Sequence, residues 1–186
     1  ISSIGDTTVV TDKWMLGTRN SFIVGISATF LATALGTVAA LGLSRPLMPF
    51  KGIIMAILIS PMIVPLIITA AGMFFFYSKV GLTHSYLGLI LAHTALGTPF
   101  VVITVTATLT GFDTNLIRAS QSLVADTMRT FFKVIMPLIL PGVISGALFA
   151  FITSFDEVVV VMFVGSVEQI TIPKQMWAGL RQETSP

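Results

Sequence analysis

Two adjacent acids, Asp156 and Glu157, are the residues of this sequence best suited to chemistry, because they are the only charges in a long apolar run. An ionisable side chain in such a run is costly in lipid and is a candidate functional group by default. Two carboxylates at the mouth of a pathway would offset the charge of a cationic solute. A structural explanation stays open, because Ser154 and Glu157 have the spacing of a capping box, which predicts a helix that stops and restarts.

The two histidines, His84 and His93, do not suggest a metal site. They are nine residues apart, which at 100° per residue puts them on opposite faces of one helix. We expect His84 at the boundary of the apolar region, and His93 buried and bonded across to a neighbouring helix. The sequence has no cysteine and no metal-binding, phosphate-binding or nucleophilic motif. We therefore predict no metal, no cofactor and no enzymatic activity.

Long uncharged runs indicate that these residues are carried by membrane-spanning helices. The chain is 54% hydrophobic and 10% charged, a composition typical of membrane proteins. Each uncharged run exceeds the roughly 20 residues with which a helix crosses ~30 Å of hydrocarbon, and a helix satisfies its own backbone there. We predict an all-α protein with a polar lead-in over residues 1–20 and four spans, at about 21–43, 53–77, 85–110 and 137–164.

Two patterns within the spans predict how the helices pack. In the first span a small residue recurs at every fourth position, at Ala28, Ala32, Gly36 and Ala40. Such a stripe lets another helix approach closely in lipid. In the second span Pro61 and Pro65 each remove a backbone donor, which predicts a kink or break. This break is either a gating hinge or a static bend.

A polar segment, residues 111–136, separates the third and fourth spans and is too charged for a simple connector. Asp113 is suited to cap a helix over about 114–123, and Asp126 a second helix running through Phe132. The pair would either dock into a groove on a soluble partner or rest on the lipid surface as an amphipathic hairpin. Basic residues are divided five against five between the two sides, so their bias does not decide the orientation.

In this segment the sequence resembles the permease subunits of binding-protein-dependent ABC importers. Their cytoplasmic signature reads Glu-Ala-Ala, three residues, Gly, nine residues, Ile, one residue, Leu-Pro. The same spacing here gives Arg118-Ala119-Ser120, then Val124, Val134 and Met136-Pro137. The flanking runs ALGTPFVVITVTATLTGFD and PLILPGVISGALFAFITSFDEVVVVMFVG also resemble the family. The SFDE segment is similar to one in the spermidine/putrescine subgroup, and the resemblance covers essentially the whole chain.

The resemblance implies a polytopic α-helical membrane domain of the type I ABC importer permease fold, with about four transmembrane helices and a cytoplasmic coupling helix pair. It implies a single domain over residues 1–186 in the bacterial inner (plasma) membrane, lacking a helix at each end. Two such permeases would form the pathway for a small solute, here a polyamine such as spermidine or putrescine. A periplasmic binding protein would deliver the solute to the outer loops, including residues 166–186, and separate ATPase subunits would hydrolyse ATP.

The resemblance also assigns roles to residues. ATPase coupling would fall to Arg118, Ala119, Ser120, Val124, Asp126, Met128, Phe132 and Pro137, and the solute pathway would include Asp156 and Glu157. Arg118 replaces the family's Glu, and Val124 replaces a Gly whose freedom at positive φ is often needed at a turn. These departures imply either one half of a heterodimer whose partner keeps the usual motif, or weaker coupling. A secondary transporter or channel that uses the acid pair without an ATPase is the alternative.

Overall fold

Helices account for all the regular elements of the described chain. The computed structural model describes residues 2–45, 47–110 and 127–183, so the predicted helix over about 114–123 lies outside it. The helices are α1 (Ser2–Leu43), α2 (Lys51–Ile63), α3 (Leu66–Val80), α4 (Tyr86–Thr110), α5 (Thr127–Thr130), α6 (Met136–Phe155), α7 (Val159–Val164) and α8 (Ile172–Glu183), with a π-helical segment (Phe131–Ile135) between α5 and α6. The predicted all-α class is confirmed.

Three long helices, α1, α4 and α6, form the centre of the bundle. α1 and α4 run parallel, because Asn20 in the first half of α1 contacts Tyr86 at the start of α4. α6 runs antiparallel to both, since Ser154 near its C-terminus contacts His93 in the first half of α4. The bundle therefore has two ends, which we call the Asn20 end and the Arg45 end. Residues 44–45 and 47–50 lie at the Arg45 end, as does α5.

Small residues bring the central helices into close contact. The predicted stripe on α1 is buried at all four positions, Ala28, Ala32, Gly36 and Ala40. A Cβ added to Gly36 would lie 2.7 Å from Cβ of Val101 on α4, closer than two carbons pack. Gly146 of α6 also lies against Val101. The prediction that this stripe serves helix packing is confirmed, as expected where van der Waals contact rather than hydrophobic burial drives association in lipid.

Three helical segments in the described ranges are long and apolar enough to span a membrane, Thr11–Leu43, Tyr86–Thr110 and Met128–Phe155. The bent pair α2–α3 supplies a fourth if it counts as one span. The predicted third span at 85–110 is confirmed. The first span begins earlier than the predicted residue 21, because its apolar segment starts at Thr11 and the polar lead-in is part of α1 from Ser2. No proline interrupts that stretch, and a helix that satisfies its own backbone can extend past the bilayer into water.

The second span is broken where the prolines predict. The axes of α2 and α3 are bent by 105°. Pro65 causes the break, because the residue before a proline is pushed out of the helical region, and Val64 is extended at φ −72° and ψ 135°. Pro61 stays inside α2. Its missing N–H leaves the carbonyl of Ile57 free, and the Ser60 hydroxyl donates to that carbonyl at 2.8 Å.

The fourth span ends earlier than predicted. α6 stops at Phe155, and Asp156 follows with φ −91° and ψ −2°, so a continuous helix over residues 137–164 is wrong. α7 then packs its buried Val160 and Val164 near Ala70 of α3. The break at the acid pair allows α7 to turn from the end of α6 onto α3.

The second coupling helix is not a separate element. α5 passes through the π-helical segment into α6 without interruption, and the Met136 N–H bonds to the Phe131 carbonyl five residues earlier. The predicted helix through Phe132 is present, but it continues into α6 instead of forming a separate short element. Pro137 lies in the first turn of α6, and the wider π turn accommodates the proline without breaking the helix.

Candidate functional site

The two helix breaks line one open pocket. This pocket has a volume of about 460 Å³, and the residues around it include Leu66 at the start of α3 together with Ile152, Thr153, Asp156 and Glu157. The Asp156 side chain is exposed and lines this pocket. The arrangement places an acidic side chain beside an apolar wall. It could attract a cation with a hydrocarbon body.

Glu157 has different surroundings from its neighbour. Its side chain is 7% exposed, and its Oε1 accepts a hydrogen bond from the Val160 N–H at 2.9 Å. That N–H belongs to the first turn of α7, where backbone donors have no partner within the helix. Glu157 thus caps α7. The stop and restart predicted from capping-box spacing is present, although Ser154 takes no part in this bond.

Ser154 instead joins two central helices. Its hydroxyl lies 2.8 Å from Nδ1 of His93 on α4, and both residues are buried. The expected cross-helix bond of His93 is confirmed. Since Ser154 lies in the last turn of α6, this bond fixes α6 to α4 directly before the acid pair. Polar contacts of this kind hold helices together in a membrane interior.

The histidines do not share a helix. His84 precedes α4 and has a left-handed φ of 58°, so the expectation of opposite faces on one helix is wrong. Its N–H donates to the Val164 carbonyl at 2.9 Å, and its Nδ1 lies 3.3 Å from the Gly165 carbonyl oxygen. His84 therefore connects the α3–α4 turn to the end of α7 at the Asn20 end.

Asn20 forms hydrogen bonds to three other residues at the Asn20 end, and the sequence did not predict this role. Its Nδ2 donates to the carbonyls of Glu168 and Ile170 at 3.0 and 2.9 Å. The Tyr86 hydroxyl donates to Asn20 Oδ1 at 2.8 Å. The only available sign was an uncharged polar residue at the start of an apolar run. No pattern connects it to carbonyls that lie 148 and 150 positions away.

Further bonds hold the segment 165–171 against the bundle. The Ile172 N–H donates to the Ser21 hydroxyl at 2.9 Å, and the Ser166 N–H donates to Gln169 Oε1 at 3.0 Å. Lys174 Nζ donates to the Ser166 carbonyl at 3.1 Å. Burial lowers the pKa of the Lys174 side chain. The segment is thus fixed to α1 and to the start of α8.

The predicted coupling residues fall into two groups. Met128 and Phe132 are 66% and 61% exposed at the Arg45 end, and Pro137 is also exposed. Four residues apart on adjoining turns, Met128 and Phe132 present apolar surface beyond the central bundle. The other predicted positions lie outside the described residues: Arg118, Ala119, Ser120, Val124 and Asp126.

Three long apolar helices, a bent helix pair and close small-residue packing define a multi-span membrane protein. Residues 19–183 match the family described as "Binding-protein-dependent transport system inner membrane component". The chain belongs to this family, whose members are transport components of the inner membrane. It therefore has the type I ABC permease fold and is a multi-pass inner-membrane protein.

Relatives of known function are similar along most of the chain. The spermidine/putrescine transport system permease protein PotC of Haemophilus influenzae is 31% identical over 167 residues, which cover 90% of this chain and 65% of that protein. PotC of Escherichia coli K12 is 27% identical, with 94% and 66% covered. The putrescine transport system permease protein PotI of the same strain is 28% identical, with 94% and 65% covered. The chain thus spans about two thirds of the length of these relatives.

Proposed function

We propose that this chain is a permease subunit of an ATP-driven ABC importer and contributes to the pathway of a small solute. The observation that carries the proposal is the family match over residues 19–183. Relatives that are 27% to 31% identical are named as transport system permeases. ATP hydrolysis belongs to separate subunits, and an extracytoplasmic binding protein delivers the solute. A second permease, identical or different, completes the pathway.

The solute we propose is a polyamine such as spermidine or putrescine. The relatives named above are permeases for these compounds. The pocket at the two helix breaks supports the same choice, since it combines the exposed carboxylate of Asp156 with apolar side chains such as Leu66 and Ile152. A polyamine carries ammonium groups on a methylene chain, so both features are complementary to it. Asp156 would meet the cation, and Glu157 would hold the turn that presents Asp156.

Coupling would begin at the Arg45 end. Met128 and Phe132 supply exposed apolar side chains there, and we propose that they enter a groove on the ATPase together with the signature residues from Arg118 onward. The helix that carries them continues through the π-helical segment to Phe155. At 1.5 Å per residue, this continuous element is about 42 Å long. A displacement at Phe132 would therefore reach the acid pair through one rigid body.

The proposal is tested by uptake into proteoliposomes. The full-length protein, purified with its companion subunits, is reconstituted with the binding protein outside and ATP inside. We expect uptake of labelled spermidine or putrescine that requires ATP and is competed by the other polyamine but not by a neutral sugar. ATP-dependent uptake of a different solute would remove the polyamine assignment alone. Polyamine uptake without ATP would favour the secondary transporter or channel.

A further inference from the structure

The last helix, α8, has one apolar side. At 100° per residue, five apolar positions fall within a sector of about 140°. They are Ile172, Pro173, Met176, Trp177 and Leu180. The opposite side of the same helix carries Lys174, Gln175 and Ala178. The helix is therefore amphipathic, with a wide apolar face.

The second half of α8 projects from the described part of the bundle, and its apolar side chains are exposed there. Met176, Trp177 and Leu180 are 55%, 51% and 60% exposed. On the opposite side, Lys174 donates a hydrogen bond to the Ser166 carbonyl. Burial of this apolar surface against lipid or protein would be favourable.

The level of α8 along the bundle points to what covers it. A Cβ on Gly17 would lie 3.6 Å from the Ile172 nitrogen, so α8 starts beside Gly17 of α1. From Leu43, where α1 ends, to Gly17 the helix rises about 39 Å. The hydrocarbon layer is ~30 Å thick, and the bilayer with its headgroups is about 40–45 Å. α8 therefore begins at the height of the headgroups on the Asn20 side.

We propose that α8 lies in the bilayer interface at the Asn20 end, with Met176, Trp177 and Leu180 inserted among the lipid headgroups. The exposed apolar surface of α1, which includes Phe22 and Ile26, continues from this height into the hydrocarbon layer. Tryptophan is enriched at membrane interfaces, where its ring lies among the headgroups. An amphipathic helix in the interface buries its apolar face in this way. A lipid surface thus fits both the position and the chemistry of this face.

Spin labels on α8 test the proposal. The chain has no cysteine of its own, so a nitroxide can be attached at Leu180→Cys on the apolar face, with Ala178→Cys on the opposite face as the matched control. Both positions are exposed, so the labels disturb little packing. The full-length protein with its companion subunits is placed in lipid nanodiscs, and other native cysteines are blocked first. Collisions with oxygen, which partitions into lipid, are compared with collisions with a water-soluble nickel chelate.

We expect the oxygen-to-nickel collision ratio to be several-fold higher at position 180 than at position 178. The ratio for Met176→Cys should also exceed the ratio at position 178. Equal ratios at 178 and 180, with ready access for the nickel chelate, would place the face in water. Exclusion of both reagents from position 180 would mean that a protein partner covers the helix. Either result would overturn the proposal. Neither depends on which solute the protein carries or on whether ATP drives it.

Discussion

Asp156 and Glu157 are adjacent in sequence but differ in environment, so their substitutions should have different effects. Asp156 is exposed in the pocket, and Asp156→Asn removes its charge at nearly constant shape. If the solute is a cation, the loss of one exposed charge contact of ~1 kcal/mol raises the KM for uptake up to about fivefold. Initial rates over a range of spermidine concentrations measure this. An unchanged KM would exclude Asp156 from the solute pathway.

Glu157 should affect stability more than solute recognition. Its carboxylate holds the Val160 N–H in the first turn of α7. Glu157→Ala removes this bond, and the loss of a helix cap costs about 0.5–2 kcal/mol. We expect a lower melting temperature in detergent for Glu157→Ala and no change for Asp156→Asn. Equal melting temperatures for the two variants would contradict the capping role.

The contact between α1 and α4 can be tested at a single glycine. Gly36→Ala would place a methyl group 2.7 Å from Cβ of the buried Val101, and overpacking of this kind costs about 1–3 kcal/mol. Gly42→Ala in the same helix is the matched control, because its Cβ would meet nothing within 4 Å. We expect thermal unfolding in detergent at a lower temperature for Gly36→Ala only. A similar shift in both variants would show that helix propensity rather than close packing controls the effect.

Among the elements, the α2–α3 pair allows the roles of two prolines to be separated. Pro65 forces Val64 out of the helical region, whereas Pro61 lies within α2 with its free carbonyl satisfied by Ser60. Pro65→Ala should therefore allow the pair to straighten, and Pro61→Ala should not. Spin labels at Ile53→Cys and Phe76→Cys, both exposed, would move apart by about 14 Å on full straightening.

Pulsed electron paramagnetic resonance in nanodiscs measures this distance in the otherwise unchanged protein, in Pro65→Ala and in Pro61→Ala. An increase with Pro65→Ala alone is the expected result. If the distance stays the same, tertiary contacts such as those of Ala70 with α7 maintain the bend, and the proline is not its cause. An equal increase with Pro61→Ala would contradict the assignment of the break to Pro65.

The sequence predicts these elements well where one local rule decides the conformation. A charge-free run located the third span, and prolines located the break between α2 and α3. The recurrence of a small residue at every fourth position located the packing face of α1. The end of α6 was harder to predict, because the long apolar run from Pro137 to Val164 indicated one continuous span, whereas the capping-box spacing of Ser154 and Glu157 within it indicated a stop and restart. Contacts with α3 and α4 then direct α7 away from the axis of α6. The continuity from Thr127 to Phe155 was also missed, since a π turn can accommodate Pro137 without a break.

In the candidate site, too, the sequence predicts what a local pattern decides and misses what depends on contacts between distant residues. A charge in an apolar run identified Asp156 and Glu157, yet their separate environments depend on which side of the turn faces α7. The contacts of Asn20 could not be predicted, because they join backbone carbonyls to a side chain some 150 residues away. Every residue has a backbone carbonyl, so residue types do not show which carbonyl accepts a hydrogen bond.

At the scale of the whole molecule, the two ends have separate tasks in the proposed importer. The Asn20 end carries the acid pair, the bonded segment 165–171 and α8. The Arg45 end carries Met128 and Phe132, and one continuous helix joins the two ends. The central claim is that an ATPase binds at the Arg45 end and acts through this helix.

Affinity purification of the full-length protein from native membranes in mild detergent, followed by mass spectrometry, tests that claim most directly. Three forms are compared: the unchanged protein, Phe132→Glu, and Leu47→Glu as a control that adds the same charge at another exposed site of the Arg45 end. We expect an ABC ATPase and a second permease with the unchanged protein and with Leu47→Glu. Phe132→Glu should lose the ATPase and keep the permease, which shows that it is folded. An eluate of the unchanged protein that contains no ATPase would contradict the account.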